Sequence, residues 1–375
     1  MKIKDFAVER YFAKYEFTTQ YLLSSSDCDG YAMQDVLDLA SDKEQNSWNE
    51  LTLGYTETIG SDPLRAAIQA HYQTIQMDEI VVASPGEANF ILMNVLLGKG
   101  DEVICMLPSY QSLYQVAKDL GCAIVPWKPS EEAGKWDFSI TDLKKLISDK
   151  TKLIVVNFPH NPTGYSPTLS EYRELIELAS HHNITVFSDE MYRFLTRPDA
   201  PDLPAMCDLY DNCVSLWGTS KTFGLAGLRI GWITSKNKEL LKKVEKFKDY
   251  LSICNSAPSE ILATIALNNM DSLLQPNLKK IIDNCAHFAA FHQRHQQLIS
   301  FHPPVSGSTA FVRLNMPETA LHFAEKLVKD TGIMLLPGEL FEYGQAHTRI
   351  GFGRKNMPQI LVILENYLHS ACKGY

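Results

Sequence analysis

The eight cysteines, at positions 28, 105, 122, 207, 213, 254, 285 and 372, include no C-x-x-C pair. Such scattered thiols provide neither a disulfide framework nor a zinc site, so no metal and a reduced, cytoplasmic setting are expected. No apolar run reaches the length of a membrane-spanning helix. The opening MKIKDFAVERYFAKYEF is charged throughout and lacks the apolar core of a signal peptide. A basic surplus is missing too. The formal net charge is -9, which argues against the positive face that nucleic acid or an anionic membrane would need. No G-x-G-x-x-G follows an early strand, which argues against a dinucleotide-binding enzyme. Repeats and low-complexity tracts are likewise absent.

What is present is an ordinary globular composition, 45% hydrophobic and 21% charged over 375 residues. A chain of that length predicts about two domains. From residue 60 onward, short apolar runs alternate with helical patterns. EIVVAS, DEVICML, CAIVPW, TKLIVVNF and ITVFSDE read as buried strands, and VSLWG with LRIGWITS reads as a strand pair. Between them EANFILMNVLLGKG, QSLYQVAKDLG, DLKKLISD and LSEYRELIELASHHN read as helices. The alternation predicts an α/β fold with a mostly parallel sheet between helices. Ligands bind such sheets at the carboxyl ends of the strands. The polar clusters SPGE, PSY, NFPHNPTG, SDEMY and GTSK all follow strands, so they point to one sheet edge. After residue 235 long helical stretches lead into a compact α+β tail. The expected division is an N-terminal segment 1–45 packing with the smaller unit, a large unit 46–284 and a small unit 285–375.

Several residues in those clusters need a reason to be there. Lys221 lies in a small-residue turn with a hydrophobic exit, where a neutral amine can attack a carbonyl; a surface loop lysine is the plain alternative. Asp189 ends an apolar strand, and a buried acid is costly unless it meets a cation or caps a turn. Tyr192 stands three residues on, free to donate a hydrogen bond or simply to pack. Asn161 is held in a turn made rigid by two prolines and a glycine. Arg229 is expected on a strand between apolar residues, where it needs an anion such as phosphate or an internal carboxylate. SPGE places Ser84, Gly86 and Glu87 at a helix start, which binds anions through backbone N–H groups when it is more than a plain helix end. Arg349, in HTRIGFG of the tail, suits a carboxylate, whether of a substrate or of another side chain.

The order and spacing of NPTG, SDEMY, SKTFGLAGLRIGW and LPGELF followed by an arginine resemble the class I and II aminotransferases of fold type I, which depend on pyridoxal 5'-phosphate. The likeness runs from GYTETIG to RIGFG, some four-fifths of the chain. The resemblance implies a seven-stranded, mostly parallel sheet in the large domain and a smaller α+β domain. It implies that Lys221 holds the cofactor as a Schiff base and shuttles the proton, passing the amino group of an L-amino acid to a 2-oxo acid through a pyridoxamine intermediate. Asp189 then pairs with the pyridine nitrogen, Tyr192 and Asn161 reach the phenolic oxygen, and Tyr110 stacks on the ring. Arg229 and the backbone of Gly86 and Glu87 hold the phosphate, and Arg349 clamps the substrate α-carboxylate. Tyr55 resembles the tyrosine that reaches the phosphate of a neighbouring subunit, which implies a homodimer with shared sites.

Three departures stand out. Pro85 removes one N–H from the phosphate loop. Position 218 is glycine where many relatives carry Ser or Thr, with Ser84 or Ser220 as the expected compensation. LLSSSDCDG replaces a more apolar substrate strand, and Ser24, Ser25, Ser26 and Asp27 are expected to line the substrate mouth. VERYFAKYEF, SSSD and VVNFPHNP also resemble the capreomycidine synthases, fold type I enzymes that cyclise a basic amino acid by elimination and internal addition. That implies a lyase alternative. A non-catalytic ligand-sensing module is a third reading, which needs a DNA-binding domain for which the acidic chain leaves no expected room.

Overall fold

The computed structural model describes residues 3–132 and 134–371. Cys372 and the outermost residues of the first and last units lie outside them. The large sheet has seven strands: β1 (Ile80–Ala83), β2 (Glu102–Met106), β3 (Ala123–Trp127), β4 (Thr151–Asn157), β5 (Thr185–Asp189), β6 (Cys213–Gly218) and β7 (Gly231–Thr234). Their order across the sheet is β1-β7-β6-β5-β4-β2-β3. Strand β7 runs antiparallel to both its neighbours, and the other pairs are parallel. Strands β1 and β6 are buried along their whole length, as a sheet with both faces covered requires. The helix Leu169–His181 shows how the covering layers form. Thr168 accepts from the Glu171 N–H in a capping box, and Tyr172, Leu175 and Ala179 make its buried stripe.

The expected helix QSLYQVAKDLG is broken into a 3-10 turn at Gln111–Leu113 and a short helix at Gln115–Asp119. Buried Gln111 is the visible cause: its side chain leaves the local pattern to bond the backbone of Asp5 and Ala7, at 2.9 Å each. The tail forms a four-stranded antiparallel sheet in the order Ile299–Ser300, Thr309–Leu314, His347–Gly351, Leu336–Pro337. The helix Met270–Arg294 runs unbroken through residue 285, where the sequence reading expects the boundary between its large and small units. The N-terminal segment makes contacts on both sides of that boundary, beyond the small-unit packing expected. Tyr21–Leu22 pairs with Ile333–Met334, while the start of the helix α1 (Ala7–Tyr15) is tied to Gln111. Among the described residues, no helix is long and apolar enough to cross a membrane.

Candidate active site

The carboxyl ends of β4, β5 and β6 open onto a cavity of about 400 Å³. Its wall brings together Lys221, Asp189, Tyr192, Asn161, Tyr110, Gly86, Ser220, Arg229, Arg349, Ser26 and Asp27 from the sequence reading. Ser25 also lines it, but Ser24, which is fully buried, and Ser84, Glu87 and Tyr55 are not part of that wall. Ser84 stands behind Arg229, Glu87 turns its carboxylate to the Ser252 N–H at 3.2 Å, and Tyr55 is 90% exposed on the surface.

Asn157, which sequence reasoning passed over, organises the centre. As the last residue of β4 it donates from Nδ2 to the Asp189 carbonyl at 2.9 Å, and its Oδ1 accepts from the Asn161 N–H at 2.8 Å. One buried amide thus fixes the end of β5 against the proline turn. A buried asparagine closing the apolar run VVN was the available signal. Asp189 accepts from the Met191 N–H at 3.1 Å. Burial pushes its carboxyl up to about 7; the nearby Glu190 adds to this, while the Met191 bond and Lys221 oppose it. Relative to an ordinary carboxyl this corresponds to about 4 kcal/mol. Such an acid is poised for a cation that the described residues do not provide within hydrogen-bonding reach. Lys221 instead donates from Nζ to Ser26 Oγ at 2.9 Å.

At the other side of the sheet edge, the helix α2 (Pro85–Leu96) begins at Pro85 itself. The expected loop is therefore a first helical turn, where proline gives up an N–H that has no partner within the helix anyway. Gly86 and Glu87 keep their first-turn amides for an anion. The two departures, Pro85 and Gly218, are packed together. A Cβ on Gly218 would sit 3.4 Å from Pro85 Cγ and 2.9 Å from the Gly231 backbone, and one on Gly231 would meet Pro85 Cγ at 2.8 Å. The proline ring thus rests on paired glycines, and the missing hydroxyl at 218 follows from that packing. Ser220 Oγ is buried without a partner, and Ser84 Oγ accepts from Arg229 Nη2 at 3.1 Å.

Arg229 corrects the sequence reading. It is not on a strand: it precedes β7 in a left-handed conformation, φ 58° and ψ 33°, with an exposed side chain. A non-glycine residue held there is strained, which is common at ligand sites. The turn directs the guanidinium to Ser84 instead of along the sheet.

Arg349 is buried, with burial holding its pKa below the usual arginine range. Nη1 donates to Asn161 Oδ1 and Nε to the Ser24 carbonyl, both at 3.0 Å. It forms no ion pair with any described residue. The serine segment is locked beside it by glycine: a Cβ on Gly351 would fall 1.7 Å from the Ser25 carbonyl oxygen, and one on Gly353 would fall 2.4 Å from that of Asp27. Asp27 corrects a second expectation. Its carboxylate lines the cavity but is held by Arg354 Nη2 at 2.8 Å, so it is not a free acid at the mouth.

Two further acids that line the cavity, with no ion pair to any described residue, come from α1 and the residue after it, to which no site role was assigned. Glu9, Phe12 and, just past the helix, Glu16 share one face and line the cavity. Their spacing, three and then four residues, was the legible signal. Tyr110 Oη donates to Glu9 Oε1, and its ring packs on Phe6 with centroids 4.7 Å apart. Burial, with Asp27 and Glu9 nearby, raises the Glu16 carboxyl above its ordinary range; Arg354 and Lys221 counter this in part.

The chain belongs to the class I and II aminotransferase family, whose profile matches residues 18–364. It is 29% identical to capreomycidine synthase of Streptomyces vinaceus over 322 residues, covering 84% of this chain and 81% of that one. It is also 29% identical to an aspartate aminotransferase of Sulfolobus acidocaldarius over 327 residues, 80% and 78% of the two chains. A PLP-dependent aminotransferase from Streptococcus suis 89-1591 superposes with a TM-score of 0.91 at 27% identity, over 99% of both chains. The fold is therefore fold type I, and the cofactor of this enzyme is pyridoxal 5'-phosphate. The site fits it: a buried acid awaiting a cation, an unpartnered Ser220 hydroxyl and open amides at a helix start beside Arg229.

Proposed function

We propose that the chain transfers the amino group of an L-amino acid to a 2-oxo acid, with Lys221 as the residue that holds the cofactor. The observation that carries this reading is that one cavity gathers Lys221, Asp189, Asn161 and Arg349. Pyridoxal 5'-phosphate supplies an electron sink for a carbanion at the substrate Cα. Asp189, buried and pushed up to about 7, keeps a ring nitrogen protonated by pairing with it. Tyr192 and Asn161 would hold the ring oxygen, and Tyr110 would cover the ring. Arg229, Ser84, Ser220 and the amides of Gly86 and Glu87 hold the phosphate. Arg349 binds the substrate α-carboxylate, which supplies the anion its burial lacks, while Asn161 orients the guanidinium. Lys221 Nζ would take the proton from the substrate Cα, and Ser26, which accepts its hydrogen bond at 2.9 Å, would steady it there.

The donor side chain faces Glu9 and Glu16. A cationic side chain fits there, because it meets two carboxylates that line one wall of the cavity from the same helix face. A donor with a second carboxylate meets repulsion instead. We therefore assign a basic amino acid as the donor. A second reading keeps that substrate and changes the outcome, to elimination with internal addition; the likeness to capreomycidine synthase supports it. A homodimer belongs to both readings, since Tyr55, Leu53 and Tyr250 are 85–90% exposed and a second copy would cover them and bring Tyr55 to its own phosphate.

The test is product analysis of the cofactor-loaded enzyme with arginine, ornithine or aspartate, with and without 2-oxoglutarate. Transamination of the basic donors gives their oxo acids and glutamate in equal amounts. A cyclic or deaminated product formed without 2-oxoglutarate would establish the lyase instead, and turnover of aspartate alone would overturn the donor assignment.

A further inference from the structure

A second lysine, far from the carbonyl chemistry, is buried more deeply than Lys221. Lys248 closes the helix Lys238–Lys248 and is fully inaccessible. Its ammonium has no carboxylate in hydrogen-bonding reach. It donates to the Thr58 carbonyl at 2.5 Å, the Val82 carbonyl at 2.8 Å and Asn255 Oδ1 at 3.1 Å. Burying a cation is costly unless each donor is matched, and here all three ammonium protons have an oxygen.

The acceptors identify what is being joined. Val82 lies in β1, two residues before Ser84 and four before Gly86. Thr58 lies three residues after Tyr55. The two segments are pressed together: the Val82 N–H donates to the Ile59 carbonyl at 2.9 Å, and a Cβ on Gly60 would meet Val82 Cγ2 at 2.4 Å. Asn255 extends the knot, donating from Nδ2 to Glu260 Oε1 at 2.8 Å and accepting at its carbonyl from Thr56 Oγ1 at 3.0 Å. Glu260 Oε2 in turn accepts from the Ser61 N–H at 3.0 Å. Residues 56–61 are thereby held at their ends by Asn255 and Glu260 and in the middle against the strand that carries the phosphate turn.

We propose that Lys248 is a positioning residue for the phosphate cradle: one buried ammonium sets the Tyr55 segment and the Ser84–Glu87 turn relative to each other. The inference rests on the reading that this turn and Arg229 hold the phosphate. It goes beyond that reading in assigning affinity for the phosphate to a residue that touches neither the cofactor nor the substrate. A lysine serves here because a rigid, three-pronged donor is needed where three chain segments meet, and the helix C-terminus favours its charge.

The test compares two ligands of the apoprotein, pyridoxal 5'-phosphate and pyridoxal, by titrating the visible band of the lysine-bound aldehyde. Lys248→Met should weaken the phosphorylated ligand by about tenfold and leave pyridoxal within about twofold. Arg229→Gln is the control for the cradle itself. If Arg229→Gln is selective and Lys248→Met weakens both ligands equally, or neither, the positioning role is overturned. If Arg229→Gln is not selective, the cradle reading fails and takes the Lys248 proposal with it. Should Lys248→Met give no folded protein, Lys248→Gln keeps two donors and should show the same selectivity at about threefold; an equal loss for both ligands would again overturn the proposal.

Discussion

The two ends of the cavity are built in opposite ways. The cofactor end is made of short turns that directly follow strands, with glycines, prolines and backbone amides packed so tightly that a single methyl at Gly231 would clash. The end that faces the donor side chain is made by one face of α1, a helix from the other extreme of the chain, tied in through Gln111 and through Glu9 on Tyr110. Chemistry shared by a whole family sits on the sheet, where geometry is fixed by strand register. On the proposed function, selectivity sits on a peripheral helix, where a side chain can be exchanged without moving the sheet-edge residues.

Substitutions at the two ends should therefore fail differently. Lys221→Ala should lower turnover by about 10⁴-fold or more and abolish the visible cofactor band, with every donor affected alike. Arg349→Ala lies between the ends. It should raise KM about a hundredfold for all donors with a smaller change in kcat, as loss of a buried carboxylate clamp does. At the side-chain end, Glu9→Gln with Glu16→Gln should cost about tenfold in kcat/KM for ornithine or arginine and change a neutral donor by less than about twofold. An equal loss for both donors would erase the contrast between the ends.

The smallest effect concerns stability. The Asp189 carboxyl titrates near 7 in the folded apoprotein and near 4 when unfolded. Between those values the folded state binds the extra proton, so apoprotein stability falls as pH rises and levels off above about 7. Thermal melts from pH 4.5 to 8 should show that decline in the wild type. They should show a flatter profile for Asp189→Asn, and matching slopes would refute the assignment.

Much of this was legible from residues alone. Strand–helix alternation pointed to the seven strands, and the position of NPTG, SDEMY and GTSK after strands pointed Asn161, Asp189, Tyr192, Ser220 and Lys221 to the one cavity they line. The failures have local causes. Arg229 was read as strand because apolar neighbours carry no sign of a left-handed turn, and the coordinates alone show φ 58°. Asp27 looked free because Arg354, more than 300 residues away in sequence, cannot be paired with it from spacing. The helical spacing of Glu9, Phe12 and Glu16 went unread, and a helix face does not by itself say what it faces. Pro85 and Gly218 read as two losses until packing showed them as one fitted contact.

The most direct test of the central claim is a single half-reaction. The purified, cofactor-loaded protein is mixed with ornithine or arginine in the absence of any 2-oxo acid, and its visible spectrum is followed while the products are quantified. The account predicts that the band of the lysine-bound cofactor disappears once, with one pyridoxamine 5'-phosphate and one oxo acid recovered per site. A band that persists or returns while ammonia or a cyclic product accumulates would contradict it.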